Sequence, residues 1–333
     1  MKLRAANIYQ IFEDFNNLKV LIIGDVMVDS YYWGRVDRIS PEAPVPIVAV
    51  SHKESRMGGA ANVALNIQAM GATPILCSVI GEDAEGDEFM RLLEAREQSD
   101  EGMIRTSSRK TTEKSRVIGN NHQMLRIDSE ETDPLSSALT KQLFDRISAL
   151  IEVKGIDCVI FEDYDKGVIT KSLIEKVVSL CKKKKIPTTV DPKKRNFTAY
   201  KEVTLFKPNL KELREGLKVE VDPAEKAQLE AAIGTLEKKL NNQITLITLS
   251  ESGVYINSPK SKHHIPAHRR DIVDVSGAGD TVISVASLCL AQDLSPQMIA
   301  EFSNLAGGLV CENVGVVPID KEELREEALK LFI

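Results

Sequence analysis

Residues 19–25 read KVLIIGD, a lysine and four apolar positions closed by a glycine and an acid. A run that is apolar at successive positions, with no polar alternation, reads as a strand covered on both faces, and Gly24-Asp25 marks where it stops. Similar short runs recur at 75–81 (ILCSVIG), 157–163 (DCVIFED), 187–191 (PTTVD), 204–209 (TLFKPN) and 244–250 (ITLITLS). Between them, helical spacing is readable at 59–70, 84–96, 136–152, 170–184, 222–240, 278–291 and 296–312, with Gly71 closing the first. Strands alternating with helices give an α/β fold, a mostly parallel sheet flanked by helices.

Two stretches break that rhythm. Residues 29–50 hold the one Trp, two Tyr and three Pro in an alternating pattern, and 111–127 reads as a hairpin turning at Asn120-Asn121. Together they suit a small extra β-sheet that serves as a lid or a dimer contact. We therefore expect a single domain over 1–333 carrying lid segments 29–50 and 111–127.

Composition narrows the function classes. With 43 basic against 49 acidic residues, the formal charge of -6 gives no general attraction to nucleic acid or to a membrane surface. The five cysteines lack CxxC spacing, which argues against a zinc site or disulfide framework and for a reducing cytoplasm. No stretch reaches the length of a membrane helix, and the first residues lack an apolar signal core. IIGDVMVD after the first strand has no GxGxxG, which disfavours a dinucleotide enzyme.

The chemistry concentrates in three strings. In DVSGAGDTV (274–282), the backbone N–H groups of Gly277, Ala278 and Gly279 at a helix start can hold an anion. Asp280 in the first turn serves equally as a favourable charge at the helix N-terminus or as an acceptor for a hydroxyl proton. In RMGGAANVALN (56–66), Gly58-Gly59 leads into a helix that presents Asn62, an amide able to hydrogen-bond a polyol; tight Gly/Ala packing explains the string as well. Asp25 and Asp29 follow the first strand, where open α/β sheets bind ligands, and either holds sugar hydroxyls or caps a turn.

The pair GGAANVALNIQAMGA and DVSGAGDTV, in that order and far apart, resembles the two signatures of the ribokinase (PfkB-type) sugar kinases over nearly the whole chain. Within that family the strings GDVMVDSYYWGRVDRISPEAPVPIVAV, NHQMLRID, DYDKG, DPK and PNLKEL are similar to those of kinases acting on D-glycero-D-manno-heptose 7-phosphate. Many such relatives continue into a nucleotidyltransferase-like domain with an HxGH string, absent before Ile333, so the resemblance is to a stand-alone kinase.

What the resemblance implies is ATP-dependent phosphorylation of the sugar C1 hydroxyl, with Asp280 as base and Gly277, Ala278 and Gly279 as the anion hole. Asp29, Gly58, Gly59, Asn62 and Asp163 would hold the sugar, and Arg38, Arg126, Lys166 or Lys193 the distal phosphate, Lys166 foremost. Lys193, Lys207, Asn209, Glu212, Thr248, Ser250 and Gly253 would meet the nucleotide, with Glu212 organising Mg2+ through water. Asp274 and Ser276 match positions some members use for a monovalent cation such as K+. A homodimer through the β lid is the expected assembly. The chain departs from the family pattern at Ser276, Glu162 and Lys194. Rival expectations are a family member acting on a hexose phosphate or ribose, and a sugar-phosphate sensor without catalysis.

Overall fold

The computed structural model describes residues 4–333. Helix α1 (Ala5–Asp14) precedes β1 (Lys19–Gly24), after which the chain leaves the main layer as a long antiparallel hairpin, β2 (Val26–Ile39) and β3 (Pro46–Gly59). It returns through α2 (Ala60–Ala69), β4 (Thr73–Gly81), α3 (Ala84–Ala95) and β5 (Met103–Thr106), then makes a second hairpin, β6 (Thr112–Gly119) and β7 (His122–Ser129). Next come α4 (Ser137–Lys154), β8 (Cys158–Glu162), α5 (Lys171–Lys184), β9 (Thr188–Asp191), β10 (Leu205–Phe206), α6 (Leu210–Leu217) and α7 (Lys226–Leu240). The last elements are β11 (Ile244–Thr248), β12 (Val254–Asn257), β13 (Lys262–Ile265), α8 (Ala278–Ala291), α9 (Pro296–Val310) and α10 (Lys321–Phe332).

The main sheet has nine strands in the order β13-β12-β11-β10-β9-β8-β1-β4-β5. Every neighbouring pair from β11 to β5 is parallel, and β12 and β13 add an antiparallel edge. β1 is near the middle and buried from Val20 onward, which is why its sequence is apolar on both sides. Val20 and Ile22 pack with α1, α2, α3, α8, α9 and α10 (Ile8, Ala64, Phe89, Ile283, Phe302, Leu324). Leu21 and Ile23 face the opposite layer of α4 to α7 (Leu143, Val177, Leu213, Leu236). The alternation of one strand thus feeds two cores.

Residues 29–50 and 111–127 fall in a separate four-stranded sheet, β3-β2-β6-β7, in which only the β2–β6 pair is parallel. The β6–β7 turn is Asn120-Asn121, both at positive φ (52° and 64°), a geometry that asparagine tolerates and a two-residue hairpin favours. Because β2 and β3 connect β1 to α2, the inner ends of this sheet lie over the carboxyl ends of the parallel strands.

Some element bounds differ from the expected ones for local reasons. TLFKPN supplies only the two-residue β10, since Pro208 has no N–H for a ladder and Asn209 already caps α6. Helix α7 starts at Lys226, because Asp222 first turns the chain by accepting from Ala224 N–H at 2.9 Å. Helices α1, α6 and α10 and strands β5, β12 and β13 had no clear sequence signal; α1 and α10 each bury only a narrow stripe, Ile8, Ile11 and Phe12 in one and Leu324, Ala328 and Phe332 in the other.

Candidate active site

Asp280 is the third residue of α8 and is 7% exposed. Gly277 caps that helix at φ 81°, in the left-handed region that glycine adopts without strain, and a Cβ there would stand 3.0 Å from Val316 Cγ1 and 3.2 Å from Asn62 Nδ2. The carboxylate is held from two sides: Asn62 Nδ2 donates to Oδ2 at 2.6 Å and the Tyr164 hydroxyl to Oδ1 at 2.9 Å. Burial pushes its pKa up to about 6; the negative charge of Asp191 adds to the rise, and the Asn62 and Tyr164 hydrogen bonds and the Lys193 charge oppose it. A carboxylate so placed is ionised at neutral pH yet a better base than a surface aspartate. The other end of the Asn62 amide, Oδ1, is buried and unpartnered, free to accept from a ligand hydroxyl.

The anion hole is narrower than expected from sequence. Ala278 N–H is spent on the Val275 carbonyl at 3.3 Å, because the chain tightens into a turn before α8. The Gly277 and Gly279 N–H groups have no such partner among the described residues. Space in front of Gly279 is open, the nearest groups to a Cβ there being Asp191 Oδ2 at 3.7 Å and Lys207 Nζ at 3.8 Å.

Charged groups crowd the strand ends beside this helix. One carboxylate oxygen from each of Glu162, Asp191 and Asp280 lies within 4.8 Å of the others. Two lysines balance them: buried Lys207 bonds Asp191 at 2.8 Å, and Lys193 bonds Glu212 at 2.9 Å with Asp191 at 3.8 Å. Burial alone would lower both lysine pKa values, but the Asp191 and Glu212 charges outweigh it and keep both protonated. Asn209 and Glu212 form a capping box on α6, Asn209 Oδ1 accepting from Glu212 N–H and Glu212 Oε2 from Asn209 N–H, each at 2.8 Å. The NxxE spacing therefore first serves the helix start, and leaves the Glu212 carboxylate beside Lys193.

On the small sheet, Asp29 accepts from Arg116 Nη1 at 2.5 Å and lines, with Asn62, a cavity of about 380 Å3 under the sheet. Gly58 is fixed by that acid, since a Cβ there would stand 2.1 Å from Asp29 Oδ2. Gly59, at φ 63°, lies equally close to the Asp25 carbonyl, 2.3 Å from a Cβ. Asp25 itself is a structural clamp: its carboxylate accepts from the N–H groups of Tyr164, Lys166 and Val168 and pins the loop that carries Tyr164.

Several expected sugar contacts lie elsewhere. Asp163 faces away from Asp280 and is used up by Tyr200 OH at 2.6 Å, Asn196 Nδ2 at 3.1 Å and Asp165 N–H at 2.9 Å, because alternation along β8 sends Glu162, not Asp163, toward α8. Lys166 is neutralised by Glu130 at 2.7 Å. Arg126 is paired with Asp128 through two hydrogen bonds (2.8 and 3.0 Å) on the exposed strand β7, and Arg38 is exposed near the far end of the β2–β3 hairpin. Lys193 is committed to the acids around Asp191 and Glu212, so none of these four basic groups lines the cavity.

The nucleotide candidates Thr248, Ser250 and Gly253 sit at the end of β11, where Thr248 bridges to Asn209. Gly253 is required there, at φ 85° with a Cβ 2.1 Å from the Ile265 carbonyl. Asp274 accepts from Ser276 N–H at 2.9 Å and Gly315 N–H at 3.0 Å, which holds its pKa low and ties the loop before α8 to the one after α9.

Sequence reasoning missed Tyr164, Asp191 and the arginines Arg56, Arg96 and Arg116. Tyr164 and Asp191 were in view within DYDKG and DPK, but only the meeting of β8, β9 and α8 shows that they surround Asp280.

The pfkB family carbohydrate kinase model matches residues 17–322. The chain belongs to that family. Among curated relatives of this pfkB member, one named "Bifunctional protein HldE" from Helicobacter pylori (strain HPAG1) is 37% identical over 92% of the chain and 65% of its own length. Another of that name, from Desulfatibacillum aliphaticivorans, is 39% identical over 94% of the chain and 63% of its own length. The chain thus spans somewhat under two thirds of these relatives. The fold matches phosphofructokinase-2 from Escherichia coli in complex with potassium (TM-score 0.76, 17% identity, 94% of this chain and 99% of that one). It likewise matches Arabidopsis thaliana ribokinase complexed with ribose and ATP (TM-score 0.71, 17% identity, 95% and 98%). The expected ribokinase-like α/β fold is the observed one.

Proposed function

We propose that this pfkB kinase transfers the γ-phosphoryl group of ATP to the C1 hydroxyl of D-glycero-D-manno-heptose 7-phosphate, giving the 1,7-bisphosphate used in ADP-heptose and lipopolysaccharide core synthesis. The observation that carries it is Asp280, buried at a helix N-terminus, gripped by Asn62 and Tyr164, and raised to about 6. The choice of heptose rests on the strings in the first half of the chain and on the HldE relatives.

In the proposed step the sugar oxygen attacks the γ-phosphorus, the bond to the leaving ADP oxygen breaks, and the hydroxyl proton passes to Asp280. Asn62 Oδ1 and Asp29 orient the sugar, while the Gly277 and Gly279 N–H groups receive the phosphoryl oxygens at the positive end of α8. Lys193 and Lys207, held protonated by their acids, face the growing negative charge. The donor set suits Mg2+, a hard ion that favours carboxylate oxygens and retained waters; both Glu212 oxygens are already engaged, so Glu212 would hold the ion through water. Bound there, the ion would neutralise phosphate charge. We assign Thr248, Ser250 and Gly253 to the nucleotide, and Asp274 with Ser276 to a monovalent cation such as K+.

Segments 29–50 and 111–127 act as a lid that excludes water during transfer. Apolar side chains exposed on that sheet, including Ile39, Val50, Leu125 and Ile127, support its use as a homodimer contact; a monomer in light scattering at micromolar concentration would remove that claim. Among the described residues no helix is long and apolar enough to cross a membrane, and we place the enzyme in the cytoplasm with its substrates.

ADP release measured with heptose 7-phosphate, fructose 6-phosphate and ribose side by side tests the substrate. The heptose phosphate should give the highest kcat/KM. A preference for either of the other sugars would replace the heptose reading while keeping the kinase.

A further inference from the structure

Asn62 meets Asp280 across the contact between α2 and α8, 218 residues apart in the chain. One helical turn beyond Asn62, on the same face of α2, stands a second asparagine, Asn66, which is completely buried. It does not line the cavity under the small sheet, so a ligand there does not touch it. A buried amide destabilises the fold unless it is hydrogen-bonded, and the partners it takes decide what it holds in place.

The partners of Asn66 come from three pieces of chain. Its Nδ2 donates to the Asn62 carbonyl at 2.9 Å, within α2. Its Oδ1 accepts from the Thr281 hydroxyl at 3.1 Å and from the Ile319 N–H at 3.0 Å. Thr281 directly follows Asp280, and its hydroxyl also lies 3.2 Å from the Gly277 carbonyl, so it spans the first turn of α8. Ile319 follows residues 316–318, which line the cavity together with Asn62, and Val316 Cγ1 would stand 3.0 Å from a Cβ at Gly277. Each arm of Asn66 therefore ends beside a group assigned to the transfer: Asn62 on α2, Asp280 on α8, and the wall that covers Gly277. The Ser284 hydroxyl adds a longer link across the same helix contact, 3.4 Å from the Val63 carbonyl. An apolar side chain of the same size would fill the space and join none of the three.

We infer that Asn66 is a positioning residue for phosphoryl transfer: it locks α2, the first turn of α8 and the segment ending at Ile319 together, and so sets the Asn62–Asp280 hydrogen bond. The inference rests on the reading of Asp280 as the base. Asn66 meets neither substrate nor reacting atoms, and acts through Asn62 and Thr281. With leucine in its place, the Ile319 N–H and the Thr281 hydroxyl lose their common acceptor, the α2–α8 contact loosens, and the 2.6 Å bond to Asp280 weakens. That bond lowers the pKa of Asp280, so weakening it lets the pKa rise further. The other ionisable groups around Asp280 are Glu162 from β8, Asp191 from β9, and Tyr164, Lys193 and Lys207 at the strand ends; none of these hydrogen-bonds Asn66.

The test is a double-mutant cycle. Asn66→Leu, Asn62→Leu, the double variant and Thr281→Val, each shown native by circular dichroism, are assayed with ATP and heptose 7-phosphate, or with whichever sugar the wild type turns over fastest. Asn66→Leu should lower kcat by roughly 10- to 100-fold, the scale of a small misplacement at a reacting centre, while the ATP KM stays within about 3-fold. Thr281→Val keeps the shape and removes one arm, so it should lose less in the same direction; it takes the place of Asn66→Leu in the cycle if that variant does not fold. In the Asn62→Leu background the second change should lower kcat by under about 3-fold, since the bond it positions is already gone. The acid limb of kcat/KM should move to higher pH in Asn66→Leu and Asn62→Leu alike. Losses that multiply across the cycle, an acid limb that stays at the wild-type pH, or an undiminished kcat would make Asn66 a packing residue and overturn the inference. Near wild-type transfer by Asp280→Asn is a separate failure: it removes the base, whereas multiplying losses remove only the role of Asn66.

Discussion

Replacing Glu162 by Gln should stabilise this protein at neutral and alkaline pH and remove part of its pH dependence. Glu162 is fully buried, and neither carboxylate oxygen has a hydrogen-bond partner among the described residues. Burial, then the neighbouring Asp191 and Asp280 charges, raise its pKa well above 4.5, against the pull of Lys193 and Lys207. The folded protein therefore keeps a proton that the unfolded chain releases above pH 4.5. The stability tied to this proton is complete below that pH and is lost as pH rises through the folded pKa. One proton corresponds to a slope of about 1.4 kcal/mol per pH unit within that window. Gln keeps the shape and has no proton to lose, so the wild-type stability minus that of Glu162→Gln should fall with that slope. Asp25, Asp163 and Asp280 also have raised pKa values, but their slopes are common to both proteins and largely cancel in the difference. Urea unfolding followed by circular dichroism, repeated across pH, reads it directly. Parallel pH curves for the two proteins, or a variant that is the less stable at alkaline pH, would refute the assignment of Glu162 as a buried neutral acid.

Three further outcomes follow from the site. Since Asp280 must be ionised to accept a proton and its pKa is about 6, kcat/KM should fall below that pH by about tenfold per unit. Tyr164→Phe removes a hydrogen bond that lowers the Asp280 pKa, so the acid limb should move to higher pH; a shift the other way contradicts the geometry. Gly58→Ala would drive a Cβ against Asp29 Oδ2, 2.1 Å away, and should raise the sugar KM by roughly tenfold with the ATP KM unchanged; an unaffected sugar KM would dissociate Asp29 from the acceptor.

Much of the scaffold is legible in the sequence because its strands are short, apolar and regularly spaced. KVLIIG had to be central, being apolar on both faces, and DVSGAGD had to begin a helix, since only glycine fits the left-handed position at 277. What stays hidden are side-chain directions at strand ends. FED at the end of β8 offers two acids, and only the register against β1 and β9 decides that Glu162 faces Asp280 while Asp163 turns to Tyr200. Lysines and arginines are equally opaque, since Lys166 and Arg126 look available until Glu130 and Asp128 are placed beside them.

The central claim is that Asp280 takes the proton of the acceptor hydroxyl. Single-turnover phosphotransfer from ATP to heptose 7-phosphate by Asp280→Asn, with ATP binding measured on the same sample, tests it most directly. Transfer should slow by roughly 100- to 10,000-fold while ATP affinity stays that of the wild type. Transfer at near wild-type rate in the Asn variant would contradict the account.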